Sequence, residues 1–224
     1  MERLFAVVRL ASIVVAVLAL FMLLRAPATP PDEAVRRAFA EYKRAVMADD
    51  GRAAAALVST GTVDWYGKTQ DLALHASKDE VRSLGPLEKI QVLAFRQRVP
   101  LQELRTMSPM QLMAYSVAHG WVGKKATERS DLGTIRVSDD TAAATLQVDG
   151  KDSGQTYHFV REGDRWVFDQ LPTLQGSDDT LKTAATRRGM TIDVFVQTLL
   201  ESASGQKLTD EIWEPPLPRA TPAA

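Results

Sequence analysis

The side chains able to do proton or ligand chemistry in this chain are few. Asp64, Asp71 and His75 fall in one stretch between Thr62 and His75. If that stretch is helical, Asp71 and His75 share a face four residues apart, as a base and the group that orients it would. If it is a loop, the three form a solvated charge cluster. Tyr42 lies on an apolar stripe with Val35, Ala38, Phe39 and Val46 at helical spacing, so its hydroxyl either enters an interior cavity or ends at the rim of a core. Arg161 has the strand parity of Tyr157 and Phe159. It can therefore point inward to hold a carboxylate or phosphate, or pair with an acidic residue at the open end of a sheet. Tyr115 is the second ligand-binding candidate, and Tyr66, His158 and Asp169 complete the polar set. His158 and Asp169 have the opposite parity to the neighbouring aromatics and are expected to face outward. Trp213, just ahead of Pro215-Pro216, either locks the tail onto the domain or anchors a partner.

No larger chemical motif surrounds these residues. There is no G-x-S-x-G, no H-E-x-x-H, no phosphate-binding glycine loop and no dinucleotide fingerprint. With 0 Cys, thiolate catalysis, disulfides, Cys-based zinc sites and a lipoprotein anchor are excluded. The 3 His are too far apart to share a helical turn, so neither a metal nor any other cofactor is expected. At 224 residues, 45% hydrophobic and 25% charged, the chain is neither disordered, collagenous nor a small disulfide scaffold. A net charge of −1 speaks against a generally basic nucleic-acid binder.

The elements that would position the candidates start after an apolar run. Leu4 to Leu24 contains one charge, Arg9, and is about as long as the ~20 residues that span a bilayer. Arg3 and Arg9 on its N-terminal side put that end in the cytoplasm, with the body of the protein in the periplasm of a Gram-negative cell. The rival reading is a cleaved signal with Leu10 to Leu24 as its apolar region. Ala26-Pro27-Ala28 is a poor cleavage site for it. Residues 1–25 are thus an inner-membrane anchor or signal, and residues 26–31 a short linker.

A helix then opens with Thr29 as cap, Pro30 at its first position and Asp32 closing a capping box. Asp49-Asp50-Gly51 breaks it, and a second, Ala-rich helix runs from Arg52 to Val58. Ser77 with Glu80, and Ser108-Pro109 with Gln111, are further helix starts. Leu87 to Phe95 reads as either a helix or a buried strand. From Leu132 the pattern changes to short runs with turns between them: Leu132–Val137, Ala142–Val148, Gln155–Glu162 and Arg165–Leu171, an antiparallel meander. Helical periodicity returns over Asp178–Arg188 and Thr191–Ala203, before a Pro-rich tail over 215–224 that is expected to be disordered.

Helices followed by a curved antiparallel meander make an α+β plan. The paired helices between Asp32 and Ser59, and the closing hairpin "YHFVREGDRWVFDQL" (Tyr157 to Leu171), carry a resemblance. On these the chain resembles exported bacterial members of the nuclear-transport-factor-2-like superfamily, the cystatin-like α+β cone. The resemblance spans residues 32–174. It leaves the long helical stretch from Ser77 to Gly120 and an extension over 175–214 as additions that could cover the mouth of the cone. The superfamily hosts both enzymes and inert binding domains. Members resembling ketosteroid isomerase set an Asp base and a Tyr donor in the cone, a role that would fall here to Tyr42 and an Asp.

The resulting expectation is a membrane-tethered periplasmic binding or interaction domain without catalytic activity, its partner a small ligand, an envelope protein or a second copy. The alternative is a cone-pocket isomerase, dehydratase or hydrolase. The cone interior separates them. An open pocket of ~300 Å³ or more with converging polar groups favours a ligand or a reaction. A filled interior turns the search to exposed apolar patches.

Overall fold

The computed structural model describes residues 30–218. Leu4 to Leu24 and the candidate cleavage site lie outside the described residues. Among the described residues no helix is long and apolar enough to cross a membrane.

Helix α1 (Pro31–Met47) buries the stripe read from the sequence: Val35, Ala38, Phe39, Tyr42 and Val46. Its cap differs from expectation. Pro30 is the N-cap and Pro31 takes the first helical position, where a missing N–H costs nothing, while Asp32 and Glu33 complement the helix dipole. Helix α2 (Gly51–Ala55) is capped by Asp50, whose carboxylate accepts from Ala53 N at 3.0 Å. It ends before Val58 because residues 57–59 are drawn onto the sheet. Phe168 N donates to Leu57 O at 2.9 Å, and Ser59 N donates to Phe168 O at 3.0 Å. A tertiary partner outcompetes local helix propensity there.

The ambiguous stretch resolves into helix α3 (Thr60–His75), capped by Ser59. Helices α4 (Lys78–Ser83) and α7 (Pro109–Ala118) both start with the expected capping boxes. Between them Leu87 to Phe95 is helical, within α5 (Pro86–Arg98), and α6 (Leu101–Thr106) follows Pro100. Short helix α8 (Lys124–Arg129), unforeseen from sequence, leads into the sheet.

Strands β1 (Ser130–Ser138), β2 (Thr141–Val148), β3 (Lys151–Glu162) and β4 (Arg165–Asp169) form a four-stranded antiparallel meander in sequence order. The Asp149-Gly150 turn has positive φ at both residues (51° and 73°), the backbone a tight two-residue hairpin turn requires. One part of the core lies between one face of this sheet and α1, and the same buried cluster continues into α3, α5 and α7. Phe39 packs edge-on against Phe159 and Phe168, at centroid distances of 6.4 and 6.0 Å. Helix α1 also covers the open edge of β1: Arg36 donates to Leu132 O and Gly133 O, and Lys43 to Ser130 O, each at 2.6 Å.

The last strand stops at Asp169 rather than Leu171, because α9 (Leu171–Arg187) begins there, with Pro172 in its first turn as an initiator rather than a stop. The boundary drawn at residue 174 therefore falls inside a helix. Helix α10 (Ile192–Ser204) is capped by Thr191 and ends at Gly205 in the left-handed region. Its Val196 and Leu200, and Trp213 from a short 3-10 turn (Asp210–Trp213), join the same buried cluster as α1 and the sheet. The proximal tail is docked rather than loose: Leu217 N donates to Leu74 O at 3.2 Å.

Candidate functional site

The strongest candidate site is an open cavity of about 200 Å³ bordered by α1, α8, β3, β4 and the start of α9. Phe39 and Tyr42 from α1, Tyr157 and Phe168 from the sheet, and Leu174 from α9 are its apolar walls. Tyr42 is 2% exposed, and its ring meets Phe168 at 5.1 Å. Burial pushes its phenol well above the ordinary tyrosine pKa, with Tyr66 adding to the effect and Gln170 opposing it. Gln170 Nε2 donates to Tyr42 Oη at 2.7 Å. Tyr157 is also raised, by burial, with a hydrogen bond to Ser130 opposing. The cavity therefore offers neutral hydroxyl and amide groups set in aromatic walls. It is smaller than the ~300 Å³ typical of small-molecule sites at their low end, because Phe39, Tyr157 and Phe168 fill the space between α1 and the sheet. Gly123, Ala126, Thr127 and Thr173 line it as well, so α8 and the start of α9 border its opening; neither belongs to the Ser77–Gly120 stretch or the 175–214 extension from which a cover was expected.

The catalytic candidates are not brought together. Asp64 and Asp71 are exposed on α3, and neither they nor His75 line the Tyr42 cavity. Helix formation does place Asp71 and His75 four residues apart. Yet His75 Nδ1 is buried without a hydrogen-bond partner, so no carboxylate orients the ring through that atom. Arg161 is exposed, its Nε 3.2 Å from Asp140 Oδ1, which is the ion pair at the open end rather than an inward ligand clamp. Tyr115 lies on α7 away from the cavity, stacked on His119 at 3.8 Å. Trp213 is 1% exposed beneath Arg82, whose guanidinium carbon lies 5.5 Å from the ring centroid. It locks the tail and presents no surface to a partner. Asp169, expected to face solvent, is half-buried and accepts from Ser59 Oγ at 2.8 Å. The approach of α3 to the end of β4 turns that carboxylate into a structural acceptor. Among the described residues no group of three or more His, Asp or Glu side chains could hold a metal ion.

Sequence reasoning missed Gln170, the partner of Tyr42, and three polar residues on inner helix faces. Lys89 is 4% exposed and its Nζ is 2.6 Å from Asp193 Oδ1. Gln70 donates to Leu104 O and Met107 O at 2.6 and 2.8 Å. Arg96 donates to five backbone carbonyls, those of Leu72, Ala73, Ala76, Ile212 and Trp213. A signal existed for two of them. Lys89 and Arg96 share the helical stripe of Val92 and Leu93, and a cation on an apolar stripe must find acceptors when buried. Nothing local marks Gln170.

No protein-family model matches the chain, and comparison with curated proteins and with solved structures finds no match in either.

Proposed function

We propose that this chain is a non-catalytic binding domain of the cell envelope, tethered by Leu4 to Leu24, whose Tyr42 cavity takes a small neutral aromatic ligand. The observation that carries the reading is the lining of that cavity: aromatic rings around a phenol–amide pair, with no carboxylate, imidazole or cation among the described lining residues. A phenol held neutral by burial and already accepting from Gln170 can orient a bound hydroxyl or carbonyl. It cannot take up a proton, and proton transfer needs a base within hydrogen-bond reach. The isomerase, dehydratase or hydrolase alternative would need an Asp beside Tyr42, a position the described lining residues leave to Gln170. The placement in the superfamily of α+β cones rests on the helices-then-meander order and the closing hairpin, and the tether on the charge and length of the first segment.

Two experiments test the proposal. Saturation-transfer NMR on the full chain in zwitterionic nanodiscs would compare p-cresol with p-toluate, its anionic analogue. Transfer to cresol alone, lost in Ala126→Phe, is the expected result. Equal transfer to both probes, or none of it lost in A126F, overturns the cavity assignment. Because the chain has 0 Cys, Ser202→Cys provides a unique thiol on the exposed side of α10. Labelling by a membrane-impermeant maleimide in cells with a permeabilised outer membrane is expected. Protection until the inner membrane is lysed would refute the periplasmic placement.

A further inference from the structure

A second cavity, of about 300 Å³, lies beyond Val122, which lines both it and the Tyr42 cavity. It belongs to the helical part of the molecule. Its walls are mostly apolar, Ile90 and Ala94 of α5, Leu199 and Ala203 of α10, and Trp121, with the neutral polar groups of Tyr66, Gln91 and Ser116 among them. Arg98, the last residue of α5, also lines it, with its guanidinium carbon 5.7 Å from the centroid of the Trp121 ring. Other arginines are engaged: Arg96 by carbonyls, Arg36 by the edge of β1, Arg161 by Asp140. Among the described residues Arg98 meets no carboxylate and donates to no carbonyl, and the Trp121 face is its one charge-stabilising contact.

An apolar chamber with an unmatched guanidinium in its wall is complementary to a molecule with an apolar tail and one anionic head. The planar guanidinium fork matches a carboxylate in bidentate geometry. The volume stands at the low end for small-molecule sites, which suits a single short chain and not a two-chain lipid. Ile90 also borders a separate recess of about 530 Å³ between α5, β3 and α9. We propose that this cavity binds a free single-chain carboxylic acid, its tail between α5 and α10 and its carboxylate on Arg98.

The test uses the full chain in zwitterionic nanodiscs with a diazirine-bearing decanoate, cross-linked by light and mapped by mass spectrometry. Label is expected on the Pro86–Arg98 and Ile192–Ser204 segments. Decanoate should displace it at roughly tenfold lower concentration than decanol, the difference one charge-assisted hydrogen-bonded pair makes. Arg98→Gln should erase that preference while leaving displacement by decanol intact, Arg98→Lys should restore part of it, and Ala94→Phe should abolish labelling. Equal competition by decanol and decanoate in the wild type overturns the proposal, as does an unchanged preference in R98Q or label confined to other segments. Displacement of the probe by adding phosphatidylglycerol to the discs would also overturn it, in favour of a lipid headgroup.

Discussion

Replacing Arg96 by Met keeps the length and apolar stem of the side chain and removes every donor. Arg96 donates to Ala73 O at 2.8 Å, Leu72 O at 3.2 Å and Ala76 O at 2.5 Å, all at the C-terminal end of α3. It donates also to Ile212 O at 3.2 Å and Trp213 O at 2.8 Å, in the short 3-10 turn Asp210–Trp213. One guanidinium thus caps a helix and clamps the C-terminal strap across it. Burial draws its pKa down to about 10, with Glu214 opposing, and it remains a cation at neutral pH. A hydrogen bond to a charged group contributes about 1.5–3 kcal/mol, but five bonds from one group are not additive. Water can also reach part of this half-buried site. The cost of Arg96→Met is therefore on the order of 3–5 kcal/mol, the range for breaking a buried charged network. In a domain of this size each kcal/mol lowers Tm by roughly 2–4 °C, so the melt should fall by about 10 °C. Arg96→Lys, a point charge with three donors, should recover less than half. Urea unfolding followed by tryptophan emission reads both effects, because Trp213 at 1% exposure should redden before the global transition if the strap peels first. A loss below about 1 kcal/mol, or emission that moves only with global unfolding, would refute the clamp.

Two further outcomes follow from the packing and the buried phenols. A Cβ added at Gly51 would sit 1.9 Å from Ala114 O, a backbone atom of α7. Gly51→Ala should therefore cost about 2–3 kcal/mol, and Ala114→Gly should not rescue it, since the clash is with the carbonyl. Rescue in the double variant's thermal melt would show that side-chain crowding is the cause instead. Burial pushes the Tyr66 phenol up to about 12, with a hydrogen bond to Ser116 opposing. A folded-state pKa above the unfolded value makes its contribution whole below pH 10 and lost as pH rises through 12. About 3 kcal/mol should disappear over that window, an order-of-magnitude figure. Tyr66→Phe should flatten the fall in urea midpoints between pH 10 and 12, and a slope equal to wild type would contradict the assignment.

Local chemistry made much of the fold legible. The stripe of α1, the capping boxes at Ser77 and Ser108, the meander from Leu132 and the apolar face of α10 all stand where their own residues specify them, because caps, periods and turns act within a few neighbours. The candidate site was legible only in part. Tyr42 could be placed in the interior, since its stripe assigns it there. Its partner Gln170 lies 128 residues away, and the pairing exists only because β4 ends against α1.

What the sequence determines by itself is therefore the class of each element and the inventory of chemistry: an α+β order, no thiols, and few acids or bases near any apolar stripe. The tertiary structure alone decided that Leu57 and Val58 leave the second helix for the edge of β4, that Asp169 becomes a structural acceptor, and that Trp213 is a lock. It alone also separated Asp64, Asp71 and His75 from Tyr42 and left Arg98 unmatched beside an apolar chamber. The reason is common to all of these. Each depends on which of several polar groups far apart in the chain meets a buried partner first, and that competition is settled by the packing of whole elements, not by any window of residues.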